Sequence, residues 1–253
     1  MKDARRAPTT QPRVRRPAHL LALLLAVDLV LIVLHVPQVV DLTEQVRALP
    51  LWSERIVFDR RWWLEMDGGH AEWWGYAKTL VAVALSVFLL RSTRQRVYAA
   101  WAATFMVIML DDALQLHEWG GVLASGGSSV SEAGGSGSDV GELAVWALLG
   151  APLLAALVFT HQRSDVTARL TSRRLARLTT VLLLLAAGVD AVHARLTGTI
   201  ARVVGTIEDG GELVVLTLIV VVLAVAVRSR APAARGRRAS SPARRSSVPV
   251  AST

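Results

Sequence analysis

"VIMLDDALQLHEWGG", residues Val107–Gly121, decides how the chain is read. An apolar run long enough to cross a membrane ends here in Asp111, Asp112, His117 and Glu118. Ionisable groups inside a bilayer are costly and normally face a bundle interior or a wet cavity. The stretch therefore poses two questions together: whether the chain is a membrane protein, and what its last helical turns hold.

The remainder of the sequence answers the first. Hydrophobic residues make up 53% of 253 positions, and mean hydropathy is +0.43 beside a formal charge of +8. A soluble chain that apolar has nowhere to place its surface. The apolar residues also fall into blocks of about 20, the length that crosses a ~30 Å hydrocarbon core. Six spans are predicted, at 17–36, 76–90, 97–117, 141–160, 178–197 and 204–227. The fold class is all-α: a polytopic membrane protein with a six-helix transmembrane bundle over 17–228. The first block follows a basic segment, but its apolar stretch exceeds a signal peptide's and no small-x-small cleavage site follows, so it reads as a retained anchor. With no cysteine, disulfides, thiolate metal sites and thiol nucleophiles are excluded for this chain.

Charge sets the expected orientation. Lys and Arg number six in 1–18, three in 91–96, five in 161–178 and seven in 228–253, all on the side of the N-terminus. Only Arg47, Arg55, Arg60, Arg61, Lys78, Arg195 and Arg202 fall on the other. Both termini are therefore expected in the cytoplasm, with the chain in the plasma membrane. The acids follow the opposite pattern. Of 20, Asp3 and Asp165 lie inside, Asp28 is mid-span, and the rest sit in outer loops or outer helix ends. Acidic residues contribute little to insertion, so something else needs negative charge on the outer face.

The tails, 1–16 and 229–253, are basic, rich in Pro and Ser and without apolar period, which predicts disorder and contact with anionic lipid head groups. No folded basic module accompanies them, so nucleic acid is not an expected partner; membrane lipids are. The outer loop 37–75 holds five of the eight tryptophans and is expected to lie on the surface as an aromatic belt. The outer loop 119–140 is rich in Gly and Ser and reads as a flexible strap. At its end, Asp139 fits a helix N-cap with Glu142 three residues on, giving Glu142 a structural role first.

At 1.5 Å rise per residue, Asp111 lies roughly 9 Å below the outer edge, Asp190 about 10 Å, His193 about 6 Å and Glu212 about 6 Å. Three helices thus bring ionisable groups to one level. In a regular helix Asp111, Gln115 and Glu118 share a face, as do Asp190 with His193 and Glu208 with Glu212. A hairpin turn near Gly198 sets Asp190 opposite Glu208 and Gly188 opposite Gly210, small residues permitting close approach.

Two plainer explanations compete. The helix macrodipole favours acids at N-termini. It can account for Glu208 and Asp209, with Thr206 as cap, but not for Asp111, Asp112, Glu118 and Asp190 at outer C-terminal ends. Pairing with Lys78, Arg195 or Arg202 can absorb a few acids only. Either protons, in a hydrogen-bonded cluster, or a divalent metal must neutralise the rest; carboxylates with imidazole suit Zn, Fe or Mn, and an acid-x-x-His pair in a bundle core is one way to build such a site. The expected ligands are Asp111, His117, Asp190, His193, Glu208 and Glu212, with Asp112 or Glu118 as general base for metal-bound water. His35 is a further candidate at that level, more often unremarkable, and Glu72 and Lys78 either complete the rim or snorkel.

Three functions remain open on these residues. One is a membrane-embedded, metal-dependent enzyme acting on a lipid or amphiphile, its site open to the extracytoplasmic side. The second is a cation- or proton-coupled transporter, which would need polar groups through the whole thickness, where only Asp28 stands. The third is a sensor or scaffold without chemistry.

Overall fold

A computed structural model describes residues 16–39, 59–126, 136–189, 192 and 195–239. Among these residues the chain is helical without strands: α1 (Arg16–Val39), α2 (His70–Thr93), α3 (Val97–Ala113), α4 (Leu116–Ser125), α5 (Ser136–Gln162), α6 (Val166–Leu183) and α7 (Gly198–Ala239). Four of them, α1, α2, α5 and α7, contain stretches long and apolar enough to cross a membrane. α3 and α4 together give a fifth if their 55° bend is one broken span.

Several boundaries differ from those read in the sequence, each for a local reason. The third span does not continue straight to 117. Gln115 takes the left-handed conformation at φ 50°, and α4 sets off in a new direction. The helix expected at 178–197 starts at Val166, where Asp165 caps it by accepting the Ala168 N–H at 2.7 Å. It carries Arg169, Arg173, Arg174 and Arg177, so it offers no long apolar window. A π-helical turn, Leu184–Val189, continues it. α7 begins at Gly198, ahead of the expected 204, and runs to Ala239, so the first part of the basic tail is helical instead of disordered. α4 also occupies part of the expected strap, and α5 starts at Ser136, ahead of the expected start at Asp139. Residues 127–135 of the strap, 40–58 of the outer loop before α2, Asp190, His193, 1–15 and 240–253 lie outside the described residues.

α7 is the central helix, packing on α1, α2 and α6. Its Ile219 and Leu223 meet Leu89 of α2, Tyr98, Trp101 and Phe105 of α3, and Leu175 of α6 in one buried cluster. Two glycines of α7 permit close approach of its neighbours. A Cβ on Gly210 would stand 3.2 Å from Ile32 of α1, and one on Gly211 2.9 Å from Leu185. Gly210 thus faces α1, whereas Gly188, its expected partner, has nothing within 4 Å of its Cβ position.

α1, α2 and α7 are joined by a buried polar network. Lys78 Nζ donates to Asp28 Oδ1 at 2.8 Å and to the Leu213 carbonyl at 2.6 Å. Thr217 Oγ1 donates to Asp28 Oδ2 at 2.6 Å, and Trp74 Nε1 to Asp28 Oδ1 at 2.8 Å. Lys78 and Asp28 are 2% and 1% exposed. Lys78 therefore neither snorkels nor joins the acidic rim, and Asp28 is an ion-pair partner. Removing one member of such a pair leaves a buried charge and costs about 3–5 kcal/mol.

Candidate functional site

The opening stretch folds as a broken helix whose break is held by its own side chains. Asp111 Oδ1 accepts the backbone N–H of His117 at 3.1 Å, and Asp111 Oδ2 lies 3.2 Å from His117 Nδ1. Asp111 thus takes the part of a cap for α4, satisfying an N–H that has no partner inside that helix. The same contact orients the imidazole and leaves Nε2 pointing away from the carboxylate, the arrangement in which a carboxylate positions a metal-binding histidine. His117 also meets Trp146 of α5 edge-on, ring centroids 5.4 Å apart.

α4 is locked against α5 by two glycines. A Cβ on Gly120 would fall 2.8 Å from the Gly141 carbonyl oxygen, and one on Gly141 2.1 Å from that of Gly120. Backbone therefore touches backbone, and this contact carries Glu118 and Glu142 to the same wall.

Behind that wall is a cavity of about 930 Å³, at the upper end of the usual range for small-molecule sites. Its two ends differ in chemistry. One end gathers Glu65 and Asp67 from the segment before α2, Glu72 of α2, Asp111 and Asp112 of α3, Glu118 of α4, Glu142 of α5, and Glu208, Asp209 and Glu212 of α7. The other is mainly apolar, with Val107, Ile108, Leu153, Leu157, Leu182 and Leu216 among its walls beside Thr104, Thr179 and Thr180. Along α3, the lining from Trp101 to Asp112 covers about 16 Å at 1.5 Å per residue. Among the described residues no lysine or arginine lines it.

The floor is closed by side chains that tie three helices. Trp101 Nε1 donates to Ser172 Oγ at 3.0 Å, and His161 Nδ1 lies 3.1 Å from the same oxygen. α5 and α6 share few contacts. Leu154 and Leu183 line the cavity and are 63% and 46% exposed. The cavity wall thus reaches the protein surface at Leu154 of α5 and Leu183 of α6.

Of the residues singled out in the sequence, Asp111, Asp112, His117, Glu118, Glu208 and Glu212 all line this cavity. Asp190 and His193 lie outside the described residues. Asp111, Gln115 and Glu118 do not share one face, because the helix turns between them. Among the described residues no three His, Asp or Glu side chains converge as ligands of one metal ion. His35 stays out of the cavity; it is buried, and its Nδ1 accepts the Leu64 N–H at 3.4 Å. Glu72 has a local task, accepting from the Gly68 N–H and the Tyr76 hydroxyl. Asp112 stands within electrostatic reach of Glu72, His117 and Asp111, beside Tyr76.

Glu65, Asp67, Tyr76 and Trp146 are cavity residues that the sequence does not single out, and Glu142, expected at a cap, joins them. The four-residue spacing of Glu72 and Tyr76 is the available signal; nothing local marks Glu65 or Asp67.

The chain belongs to the family described as Domain of unknown function (DUF8692), whose profile matches residues 20–227. Comparison with curated proteins finds no match, and comparison with solved structures finds none.

Proposed function

We propose that this is a multipass membrane protein that takes a lipid or similar amphiphile into the cavity and holds a divalent cation against its acidic end. The observation that carries the reading is the two-ended lining. One end has ten carboxylates and, among the described residues, no lysine or arginine; the other is a mainly apolar bed whose wall reaches the surface at Leu154 and Leu183. The apolar end suits a hydrocarbon chain arriving sideways from a bilayer, and the acidic end suits positive charge. By the distribution of Lys and Arg, the acidic end faces the extracytoplasmic side, with both termini cytoplasmic.

For the cation, Zn, Fe or Mn fits a donor set of carboxylates and imidazole. His117 Nε2, Glu208 and Glu212, which stand apart along the cavity wall and would have to be drawn together by the ion, are the proposed ligands, with Asp190 and His193 as further donors and Asp111 as the group that orients His117. A bound metal would polarise a carbonyl or phosphoryl oxygen or acidify a water molecule. Asp112 and Glu118 are the proposed general bases. The reaction class is metal-assisted hydrolysis of a lipid or amphiphile.

Metal analysis of the purified protein tests this reading directly. Near-stoichiometric Zn, Fe or Mn is expected, falling several-fold in His117→Ala and in the double variant Glu208→Gln/Glu212→Gln. Hydrolysis of lipid substrates should fall in the same variants and in Asp112→Asn. Protein that carries no metal and takes none up from millimolar Zn, Fe or Mn would overturn it.

A further inference from the structure

α6 carries charge at a depth where its neighbour α7 carries none. Its first turn is fixed beside the turn between α2 and α3, because the Asp165 N–H donates to Gln95 Oε1 at 3.2 Å. At 1.5 Å per residue, Arg173, Arg174 and Arg177 lie roughly 12–18 Å along the helix from that level. α7 gives the same register from the other end. It packs along α6 and the π turn, with Gly211 against Leu185. Counted back antiparallel from that contact, Arg177 falls beside Ile219, which is buried in the middle of Leu213–Val227, a stretch without a charged residue. In a bilayer whose hydrocarbon core is about 30 Å thick, these arginines stand well inside it.

The side of α6 that meets the bundle is Ala168, Thr171, Ser172, Leu175, Thr179 and Leu182, all buried. The opposite side is exposed and mixes apolar with basic residues: Leu170, Arg173, Arg174, Arg177, Val181 and Leu184. Among the described residues no carboxylate pairs with these three arginines. Arginines within a membrane are costly and normally face a bundle interior or find a partner; these do neither within the chain. A second copy offers no counter-charge at that depth. Among the described residues its exposed acids are Asp59, Glu65 and Asp67 before α2, Asp112 at the acidic end of the cavity and Asp165 at the level of the turn. The negative charge that a bilayer itself supplies is lipid phosphate.

The local geometry suits that group. Spacings of three and four residues bring Arg173, Arg174 and Arg177 round one spot on the helix. Planar guanidinium groups match phosphate oxygens two at a time. Helical side chains lean toward the helix N-terminus, here toward Asp165 and the head groups on that side, which is how long basic side chains reach an interface. Val181 and Leu184 continue the same face toward the mid-plane.

We propose that the outward face of α6 binds an anionic phospholipid of the cytoplasmic leaflet, with Arg173, Arg174 and Arg177 clasping its phosphate and Val181 and Leu184 lying along its acyl chains. The bound lipid lets a helix with four arginines stand in the bundle. The inference rests on the proposed membrane crossing and orientation, and on neither the cavity nor its cation.

The test uses full-length protein in a mild detergent, with phosphatidylglycerol and phosphatidylcholine of matched chains added in equal amounts and bound lipid counted by native mass spectrometry. A basic residue near an anionic surface contributes about fivefold in affinity. Wild type should therefore prefer phosphatidylglycerol by about tenfold or more, and Arg173→Gln/Arg174→Gln/Arg177→Gln should bring the preference to within about twofold. Arg173→Gln and Arg177→Gln alone should each lower it by about threefold, which keeps the inference open to refutation if the triple variant does not fold. Arg91→Gln/Arg94→Gln, beside the α2–α3 turn, should change it by less than about twofold. A loss in that control as large as in the α6 variants means a diffuse basic surface and overturns the site. Displacement of the lipid by millimolar glycerol phosphate means a free-phosphate site and overturns the lipid. A wild type without preference that is dimeric by light scattering, and monomeric as the triple variant, assigns the face to self-association instead. Glu208→Gln/Glu212→Gln should leave the preference unchanged, so either proposal can fail without the other. Protein recovered in soluble form without detergent removes the membrane crossing and the inference with it.

Discussion

Replacing Gln115 by glycine and by alanine distinguishes a broken helix from a continuous one by the sign of a stability difference. Gln115 sits at φ 50° and ψ 42°, between α3 and α4. Among the described residues its side chain lines no part of the cavity, so the substitution reads the backbone. In a regular helix, alanine is more favourable than glycine by about 1 kcal/mol. In the left-handed region an L-residue with a Cβ suffers about 1–2 kcal/mol that glycine does not. The difference between the two variants therefore reverses, a swing of roughly 2–3 kcal/mol between the two backbone conformations. The assay is denaturant or thermal unfolding in one detergent, with Ala103→Gly as reference. Ala103 is exposed on the regular part of α3, and the glycine there should cost about 1 kcal/mol. The Gln115→Gly variant is expected to be more stable than Gln115→Ala by about 1 kcal/mol or more. If Gln115→Ala proves the more stable by a margin like that at 103, the helix runs straight through this position. The Asp111–His117 contact would then be wrong, and with it the placement of Glu118.

The α4–α5 contact gives a second test. Gly141→Ala should destabilise by about 1–3 kcal/mol, since its Cβ meets backbone that cannot move aside. Gly150→Ala, with nothing within 4 Å, should be neutral or slightly stabilising; equal behaviour of the two would refute the close crossing. Asp111→Ala removes the acceptor of the His117 N–H and should cost about 0.5–2 kcal/mol in unfolding measurements, with Asp111→Asn milder. Trp74→Phe deletes one donor to Asp28 and should cost about 1–3 kcal/mol in the same assay, and a cost near zero would mean the indole is dispensable there. On the proposed cation site, chelation should lower the melting temperature and re-added Zn or Mn restore it, the shift growing with ligand concentration as linkage requires.

Much of the fold was open to sequence reading because it is written in composition. The apolar blocks of α1, α2, α5 and α7 span a bilayer's thickness whatever their neighbours are, and all-helical structure follows from backbone satisfaction in lipid. What escaped was set by contacts distant in sequence. Nothing around Gln115 breaks a helix, since no Gly or Pro lies between Val97 and Trp119. The break becomes visible only when Asp111 is seen to reach His117, six residues on and out of register for a regular helix. α7 begins at Gly198 despite Gly205, Gly210 and Gly211, because packing against Ile32 and Leu185 favours glycine at two of those positions over its poor helix propensity. The Lys78–Asp28 pair joins residues fifty apart and requires α1 to lie beside α2 and α7, which local pattern does not encode.

The broken helix also changes which acids the helix dipole can account for. In a straight third span, Asp111 and Glu118 stand at a C-terminal end, where negative charge is disfavoured. With the break, Asp111 caps α4 and Glu118 lies in its first turn, so both are placed where the helix dipole stabilises them. The acids of α7 move the other way. Glu208 and Asp209 looked like dipole partners of a helix starting near Thr206, but α7 starts at Gly198, and the Thr206 hydroxyl donates to the Arg202 carbonyl within the helix instead of capping it. The dipole effect fades within the first turn, so Glu208, Asp209 and Glu212 gain little from it. Asp112, near the C-terminal end of α3, gains nothing either. The helix dipole therefore accounts neither for Asp112 on one wall of the cavity nor for the α7 triplet on another, and the proposed cation site draws on the α7 acids ahead of Asp111 or Glu118. Substitutions in α7 should accordingly affect cation binding more than stability, and substitutions at Asp111 stability more than cation binding.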